Sequence, residues 1–287
     1  MYNDVTTLDT ALEGRFRTIC TMLRDGPVAI LSGAGLSTEC GIPDYRDRDG
    51  NWKHAKPVDH KEFLHSKAVR RRYWARSFVG WPAIYSARPA RGHLAIAALE
   101  EIGLVSAIIT QNVDGLHRKA GSRAVIELHG GLDEVICLSC GDRRGRAEVQ
   151  AWMEEANRGL LDRRAVPAPD GDAVIAEAAY AGFRIPACLT CGGILKPDVV
   201  FFGDSVPKDR VRYGMAAVDV ANSLLIVGSS LMVFSGFRFA QYGRQQGKRI
   251  AAINFGVTRA DDFLDTKIEE DCGAVLQRLA RQARALV

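Results

Sequence analysis

The stretch Pro27-Val28-Ala29-Ile30-Leu31-Ser32-Gly33-Ala34-Gly35 decides how the rest of the chain is read. A short apolar run, Pro27 to Leu31, passes straight into two glycines spaced by one residue. In a strand–turn–helix unit such glycines let the backbone approach a pyrophosphate, while a helix N-terminus offers N–H groups and a positive dipole end. The third glycine of the full dinucleotide fingerprint is missing, with Thr38 at its position. A tight turn without a ligand therefore stays open as an alternative on this motif alone. Beyond it, Gly41 and Pro43 end any helix quickly and leave a polar loop, hinged beside the glycines, that could close over a cofactor.

Working outward, Leu8, Leu12, Phe16, Ile19 and Leu23 recur at helical spacing and predict an amphipathic helix over residues 7–24. Further apolar, β-branched runs stand at residues 104–110, 124–128, 198–202, 223–227 and 249–254, with helical stretches at 90–102, 209–221 and 235–247. Continuous apolar strands alternating with helices predict an α/β fold whose parallel sheet is covered on both faces, a Rossmann-like domain. Two segments break the rhythm. Residues 48–89 are charged and aromatic without a central strand, and residues 134–195 carry cysteine pairs and a loop-like run at 165–172. Both read as insertions. The expected division is 1–47, 96–133 and 196–287 for the sheet domain, against 48–95 and 134–195 for a smaller lobe. A cleft between such lobes is a common ligand site.

Four of the seven cysteines form two Cys-x-x-Cys pairs, Cys137/Cys140 and Cys188/Cys191, each followed by glycine. Four soft sulfurs in two short knuckles suit a closed, tetrahedral, structural zinc site with no open position for substrate, the alternative being two chance pairs of reduced thiols. The composition, 47% hydrophobic and 25% charged, is that of an ordinary globular chain. A net charge of +4 over 287 residues implies no nucleic-acid surface. No apolar run reaches membrane-spanning length, and Met1 to Thr10 lacks the pattern of a signal peptide. The expectation is a cytoplasmic protein without a membrane or nucleic-acid partner.

Polar groups cluster where the apolar runs end. Thr110-Gln111-Asn112-Val113-Asp114 follows the run at 104–110, a position where open α/β sheets place ligand contacts, although Asn and Asp also cap helices. His129 follows the run at 124–128 and precedes Gly130-Gly131. A pKa near neutral makes it the best placed histidine for general-base work, against the alternative of a structural imidazole. Gly228-Ser229-Ser230 and Asn254-Phe255-Gly256 repeat the theme, and each by itself could be a turn.

Taken in order, Gly33–Ser37, Gly41–Arg46, Thr110–Asp114, Leu128-His129-Gly130, the four cysteines, Lys196–Gly203 and Gly228–Ser230 resemble the sirtuins, the NAD-dependent protein-lysine deacylases. Arg72–Arg76, Pro197–Asp204 and Tyr45 look most like the class II branch. The resemblance implies NAD across the strand ends, touching Gly33, Ala34, Gly35, Ser37, Asp44, Tyr45, Arg46 and Gln111. The adenosine half would lie near Gly228, Ser229, Ser230, Asn254, Phe255, Gly256 and Cys272. Nicotinamide would enter a pocket bounded by Ala34, Ile42, Asn112 and Asp114, with Asn112 and His129 as catalytic residues. The acyl-lysine carbonyl oxygen would attack the ribose carbon as nicotinamide leaves, and neutral His129 would then remove a ribose hydroxyl proton. Products would be free lysine, nicotinamide and O-acyl-ADP-ribose. Val199 and Phe201 would align an acyl-lysine protein or peptide by backbone pairing. A monomer carrying one structural zinc ion is expected. The competing activities are protein mono-ADP-ribosyl transfer from the same NAD site and NAD sensing without catalysis.

Acyl preference, whether acetyl or a long or branched chain, is the open part of the resemblance. Tyr73 and Arg76 have the spacing of a pair that some members use for succinyl or malonyl groups, but they fall early relative to Gly92-His93. They are read here as ordinary helix residues. The stretch 160–182 is read either as an active-site loop shaping acyl choice or as a surface insertion.

Overall fold

The computed structural model describes residues 4–53, 57–159 and 166–284. The expectations for Met1–Asn3 and for residues 160–165 of the long insertion lie outside the described residues. Along the chain run α1 (Asp4–Asp25), β1 (Val28–Ser32), α2 (His60–His65), α3 (Lys67–Ser86), α4 (Arg91–Glu101), β2 (Val105–Thr110), α5 (Leu116–Lys119) and β3 (Val125–Glu127). Then come β4 (Gly130–Cys137), β5 (Arg143–Gly145), α6 (Arg146–Ala156), β6 (Val166–Ala168), β7 (Asp172–Val174), α7 (Glu177–Tyr180) and β8 (Leu195–Val199). The C-terminal part is α8 (Lys208–Val220), β9 (Ser223–Val227), α9 (Phe234–Gln245), β10 (Arg249–Ile253), β11 (Thr266–Ile268) and α10 (Cys272–Arg284).

Six strands form a wholly parallel sheet in the order β11-β10-β9-β1-β2-β3. The reason is visible in β1, where Val28 and Ile30 point to one apolar layer and Ala29 and Leu31 to the other. Phe16 of α1, Ile96 of α4 and Leu276 of α10 fill the first layer; Val218 of α8 and Phe239 of α9 fill the second. A strand buried on both faces must be apolar at every position, so its sequence runs continuously instead of alternating. Among the described residues, no helix is long and apolar enough to cross a membrane.

One expected strand of the parallel sheet belongs elsewhere. Residues 198–202 do not join it; β8 ends at Val199 and pairs antiparallel with β4 in a separate sheet of order β5-β4-β8. Pro197 has no N–H to give to a ladder, and here it sits on an edge strand, where the loss costs least. Packed on this sheet are α3 and α6, through Trp74, Phe78, Val149 and Met153. Asp59 accepts from the Lys61 and Glu62 N–H groups and Ser66 from that of Val69, which starts α2 and α3 in succession. Trp74 Nε1 then donates to the Leu195 carbonyl and Trp81 Nε1 to that of Leu132, at 3.2 and 3.0 Å, pinning α3 to β8 and β4. The run at 165–172 is not a plain loop either. From Val166 it forms the hairpin β6–β7, so close to α3 that a Cβ on Gly80 would lie 2.4 Å from the Asp172 carbonyl oxygen.

Beneath the strand ends two histidine rings lie 5.0 Å apart, His93 and His117, both buried. His117 Nε2 is 2.8 Å from Ser32 Oγ. Burial, with the neighbouring His93 ring, pushes His117 down to about 3. In the unfolded chain it returns to an ordinary value near 6.5. Between those values the unfolded chain binds a proton that the folded chain refuses, so stability falls as pH drops from 6.5 towards 3. By pH 5 the loss from this residue should be about 2 kcal/mol, or roughly 5 °C in melting temperature. His117→Asn should shrink the difference between melting curves at pH 7 and pH 5, and an unchanged difference would exclude His117 as its source.

Candidate active site

The sheet order places β1 between β2 and β9, where the chain, having wound one way, resumes winding the other. Ligands bind open α/β sheets in the crevice at this reversal, outside the carboxyl ends of the strands. The turns Gly33–Gly35 and Gly228–Ser230 meet there, with the Gly35 N–H donating to the Gly228 carbonyl at 2.9 Å. Gly228 has φ +59, and a Cβ on it would lie 2.3 Å from the Leu36 nitrogen. The glycines thus first let two backbones stack on each other. The helix expected after Gly35 does not form. Two single 3₁₀ turns, Ala34–Leu36 and Thr38–Cys40, end at Gly41 with φ +79, and the Gly35, Leu36 and Ser37 N–H groups are already bonded to the Gly228, Gly33 and Ala34 carbonyls.

A cavity of about 880 Å³ opens from this crevice. Gly33, Ala34, Gly35, Asp44, Tyr45, Arg46, Gln111, Asn112 and His129 line it, together with Gly228, Ser229, Ser230, Asn254 and Phe255. Val199, the last residue of β8, and Phe201, two residues on, line it as well. Ser37, Ile42 and Asp114 instead wall a small recess of about 30 Å³, shared with Ala34 and Asn112. Two expected residues stand apart from both walls. Gly256 is pressed against Arg48, so that a Cβ on it would lie 2.1 Å from the Arg48 carbonyl oxygen. Cys272 is buried, donates to the Ile253 carbonyl at 3.3 Å, and has its thiol pushed up to about 12 by burial.

Within the recess the polar groups hold one another. Ser37 Oγ donates to Asp114 Oδ2 at 2.7 Å, and Asn112 Nδ2 donates to the Gly33 carbonyl at 3.0 Å and to Ser37 Oγ at 3.1 Å. Asp114 Oδ1 accepts from the Leu116 N–H at 2.9 Å, which starts α5. The loop above the crevice folds on itself: Lys53 Nζ lies 2.6 Å from Asp44 Oδ1, and the Arg46 guanidinium sits 4.1 Å from the Trp52 ring centre. His129 Nδ1 is 2.8 Å from the Gln111 carbonyl, which can only accept, so Nδ1 carries the hydrogen and Nε2 the lone pair. Burial lowers its pKa below the ordinary histidine value, and the Arg210 and Arg238 cations act in the same direction. The ring is therefore neutral at pH 7, the form a general base requires.

The four cysteines converge, their Sγ atoms all within 4.8 Å of one another. Cys137–Cys191 and Cys140–Cys188 stand at 3.5 and 3.7 Å. A tetrahedron with Zn–S bonds of about 2.3 Å has edges of about 3.8 Å, so the cluster fits zinc. The Cys140 and Ser139 N–H groups lower the Cys137 thiol, while the crowded neighbouring sulfurs push the Cys140 and Cys191 thiols up, so the cluster without metal favours one thiolate and not four.

Tyr73 and Arg76, read from sequence as ordinary helix residues, both line the large cavity. The Tyr73 ring packs at 5.1 Å from that of Phe201. Arg76 Nη2 is 2.7 Å from Asp172 Oδ2, and its Nε donates to the Ala173 carbonyl at 2.9 Å, so the hairpin β6–β7 already occupies the guanidinium. Ala168, Pro169, Asp172, Val174 and Ile175 of the insertion line the same cavity. Sequence reasoning passed over Ser235 and Arg238, which reach the cavity from α9. Their only signal was a polar pair within an otherwise apolar run after Gly228-Ser229-Ser230.

Comparisons with known proteins agree with this geometry. A model of the Sir2 family matches residues 33–235. A Xanthomonas campestris pv. campestris protein named NAD-dependent protein deacetylase is 53% identical over 247 residues, covering 86% of this chain and 84% of the relative. Bradyrhizobium diazoefficiens NAD-dependent protein deacetylase 2 is 52% identical over 247 residues, covering 86% and 90%. The solved structure described as "Sir2-p53 peptide-NAD+" superposes with a TM-score of 0.76 at 27% identity, over 94% of this chain and 99% of that one.

Proposed function

The chain belongs to the Sir2 family, and from that premise we propose that it is an NAD-dependent protein-lysine deacylase releasing nicotinamide and O-acyl-ADP-ribose. The observation that carries this reading is His129, a neutral imidazole on the same cavity as the two glycine turns, with its Nε2 lone pair free of any backbone donor. The names of the relatives and the peptide and NAD in the superposed structure support it. When bound, NAD supplies a ribose carbon activated by its bond to a charged nicotinamide ring.

The chain's own residues would do the rest. Gly33, Ala34, Gly35, Gly228, Ser229 and Ser230 would hold the phosphate and adenosine side, with Asn254 and Phe255 beyond them. Asp44, Tyr45, Arg46 and Gln111 would close over the ribose. Ser37, Ile42, Asn112 and Asp114 would take the nicotinamide end, and the recess must widen for it, since about 30 Å³ holds little more than one water. Val199 and Phe201 would align the substrate peptide, and His129 Nε2 would receive the ribose proton. The zinc site would frame a smaller lobe of residues 48–95 and 134–195, supported by the separate core around Trp74 and Cys137. Gly256 and Cys272 would act from behind the wall by fixing the turns after β10. A cytoplasmic monomer of the class II branch completes the reading, the branch resting on the sequence of Arg72–Arg76 and Pro197–Asp204.

The test is an acetyl-lysine peptide incubated with NAD. Each lysine freed should be matched by one nicotinamide and one O-acetyl-ADP-ribose. Label from NAD accumulating on protein, with the peptide still acylated, would establish ADP-ribosyl transfer instead.

Acyl choice follows from the Arg76–Asp172 pair. With its charge neutralised, Arg76 offers little to an acidic acyl end, so neutral acyl groups should be preferred. Asp172→Asn frees the guanidinium for a charge-assisted hydrogen bond, and should raise the succinyl-to-acetyl ratio of kcat/KM by about tenfold or more. An unchanged ratio would place the pair off the acyl path.

A further inference from the structure

His129 Nε2 has a partner that the family reading does not use. Ser235 Oγ lies 2.8 Å from it. Because Nδ1 donates to the Gln111 carbonyl, Nε2 holds the single lone pair of a neutral ring, and the serine hydroxyl must be the donor. That lone pair is the place where a ribose proton has to arrive. The hydroxyl keeps acceptor capacity of its own, and Ser235 lines the same cavity as His129.

The contact is registered by neighbouring structure. Ser235 is the second residue of α9, next to Gly236, and a Cβ on Gly236 would lie 2.3 Å from Gln111 Oε1. The first turn of α9 therefore rests on Gln111, whose carbonyl fixes the imidazole. Gln111 Nε2 in turn donates to Ser229 Oγ at 2.7 Å and to the Ser32 carbonyl at 3.2 Å, tying it to β1 and to the turn after β9. The charged groups acting on the ring are Arg210 of α8 and Arg238, one helical turn beyond Ser235.

We propose that Ser235 is a proton relay between the ribose hydroxyl and His129. The step rests on the deacylase reading above. Ser235 Oγ takes the proton of the ribose hydroxyl while its own O–H bond breaks and that proton moves to Nε2. The ribose oxygen keeps the electron pair with which it attacks the acyl carbon. Ser235 ends as a neutral hydroxyl, now accepting from Nε2–H, and His129 ends as an imidazolium still bonded to the Gln111 carbonyl. A hydroxyl suits the place because it donates to the neutral ring and accepts from the charged one.

Ser235→Ala and Ser235→Thr test the relay through three readouts. In the protein without NAD, the ¹⁵N resonance of His129 Nε2 should move in the alanine variant, which has lost the donor, and stay near its wild-type position in the threonine variant. Exchange of labelled nicotinamide into NAD, with acetyl-lysine peptide present, precedes the proton transfer and should keep its wild-type rate in both. Deacylation should fall about tenfold or more in Ser235→Ala and recover in Ser235→Thr. Deacylation at the wild-type rate in Ser235→Ala, with the resonance moved, would overturn the relay and leave a resting contact that substrate displaces. Equal loss of exchange and deacylation would also overturn it, because the defect would then lie in NAD binding. A wild-type protein showing neither exchange nor deacylation would instead defeat the deacylase reading itself.

Discussion

His129→Ala is expected to lower the deacylation rate by about 10²–10⁴-fold, the usual yield of one well-placed general base. Nicotinamide exchange should survive, since that earlier step asks nothing of the imidazole. The fold should survive too. The side chain borders a cavity, so its removal leaves the Gln111 carbonyl and the Ser235 hydroxyl facing space that water can enter. Peptide deacylation, exchange and melting temperature measured on one preparation check all three statements. Near-normal deacylation would refute the base assignment. The pH profile carries an independent sign. Burial and the Arg210 and Arg238 cations disfavour the imidazolium, so the base form persists below the ordinary histidine pKa. The acid limb of kcat/KM should accordingly fall below pH 6.5.

Cys140→Ala should empty the four-sulfur site and lower the melting temperature by about 10 °C or more, the equivalent of several kcal/mol. Cys140 is exposed, so the lost side chain itself contributes little packing. The cost comes from its partners. Cys137 and Cys188 are buried in the core formed by Trp74, Phe78 and Leu195, and without metal nothing ties the two knuckles together there. Activity should decline with the metal. Cys137 ends β4, which begins one residue after His129, and β8 leads directly into the Val199–Phe201 segment. Metal analysis and melting curves, repeated on wild-type protein treated with a strong chelator, read the effect. Normal melting without bound metal would rule out a structural site.

The legible parts of this fold were those that local chemistry dictates. Val28–Leu31 and Ser223–Val227 are apolar at nearly every position, which signals strands covered on both faces, and both lie at the centre of the sheet. The cysteine pairs announced their cluster through ligand spacing. Less legible was anything defined by what it packs against. Residues 198–202 have the composition of a central strand, yet Pro197 and the pairing of β8 with β4 send that segment to another sheet. Thr266–Ile268 forms an edge strand too short for periodicity to reveal. The hairpin β6–β7 was opaque because its stability derives from contact with α3, remote in sequence.

The sequence by itself determined the parallel sheet, the glycine turn beside its reversal point, the paired cysteines and the histidine proposed as the general base. Each depends on residue type at short spacing: apolar runs, a missing Cβ, paired thiols, an imidazole at a strand end. Tertiary structure alone decided that Asp172 captures Arg76 and that Ser235 takes the lone pair of His129. Partners ninety-six and one hundred and six positions apart carry no local signal. Only the packing of β7 on α3 and of α9 on Gln111 brings each pair within hydrogen-bonding distance.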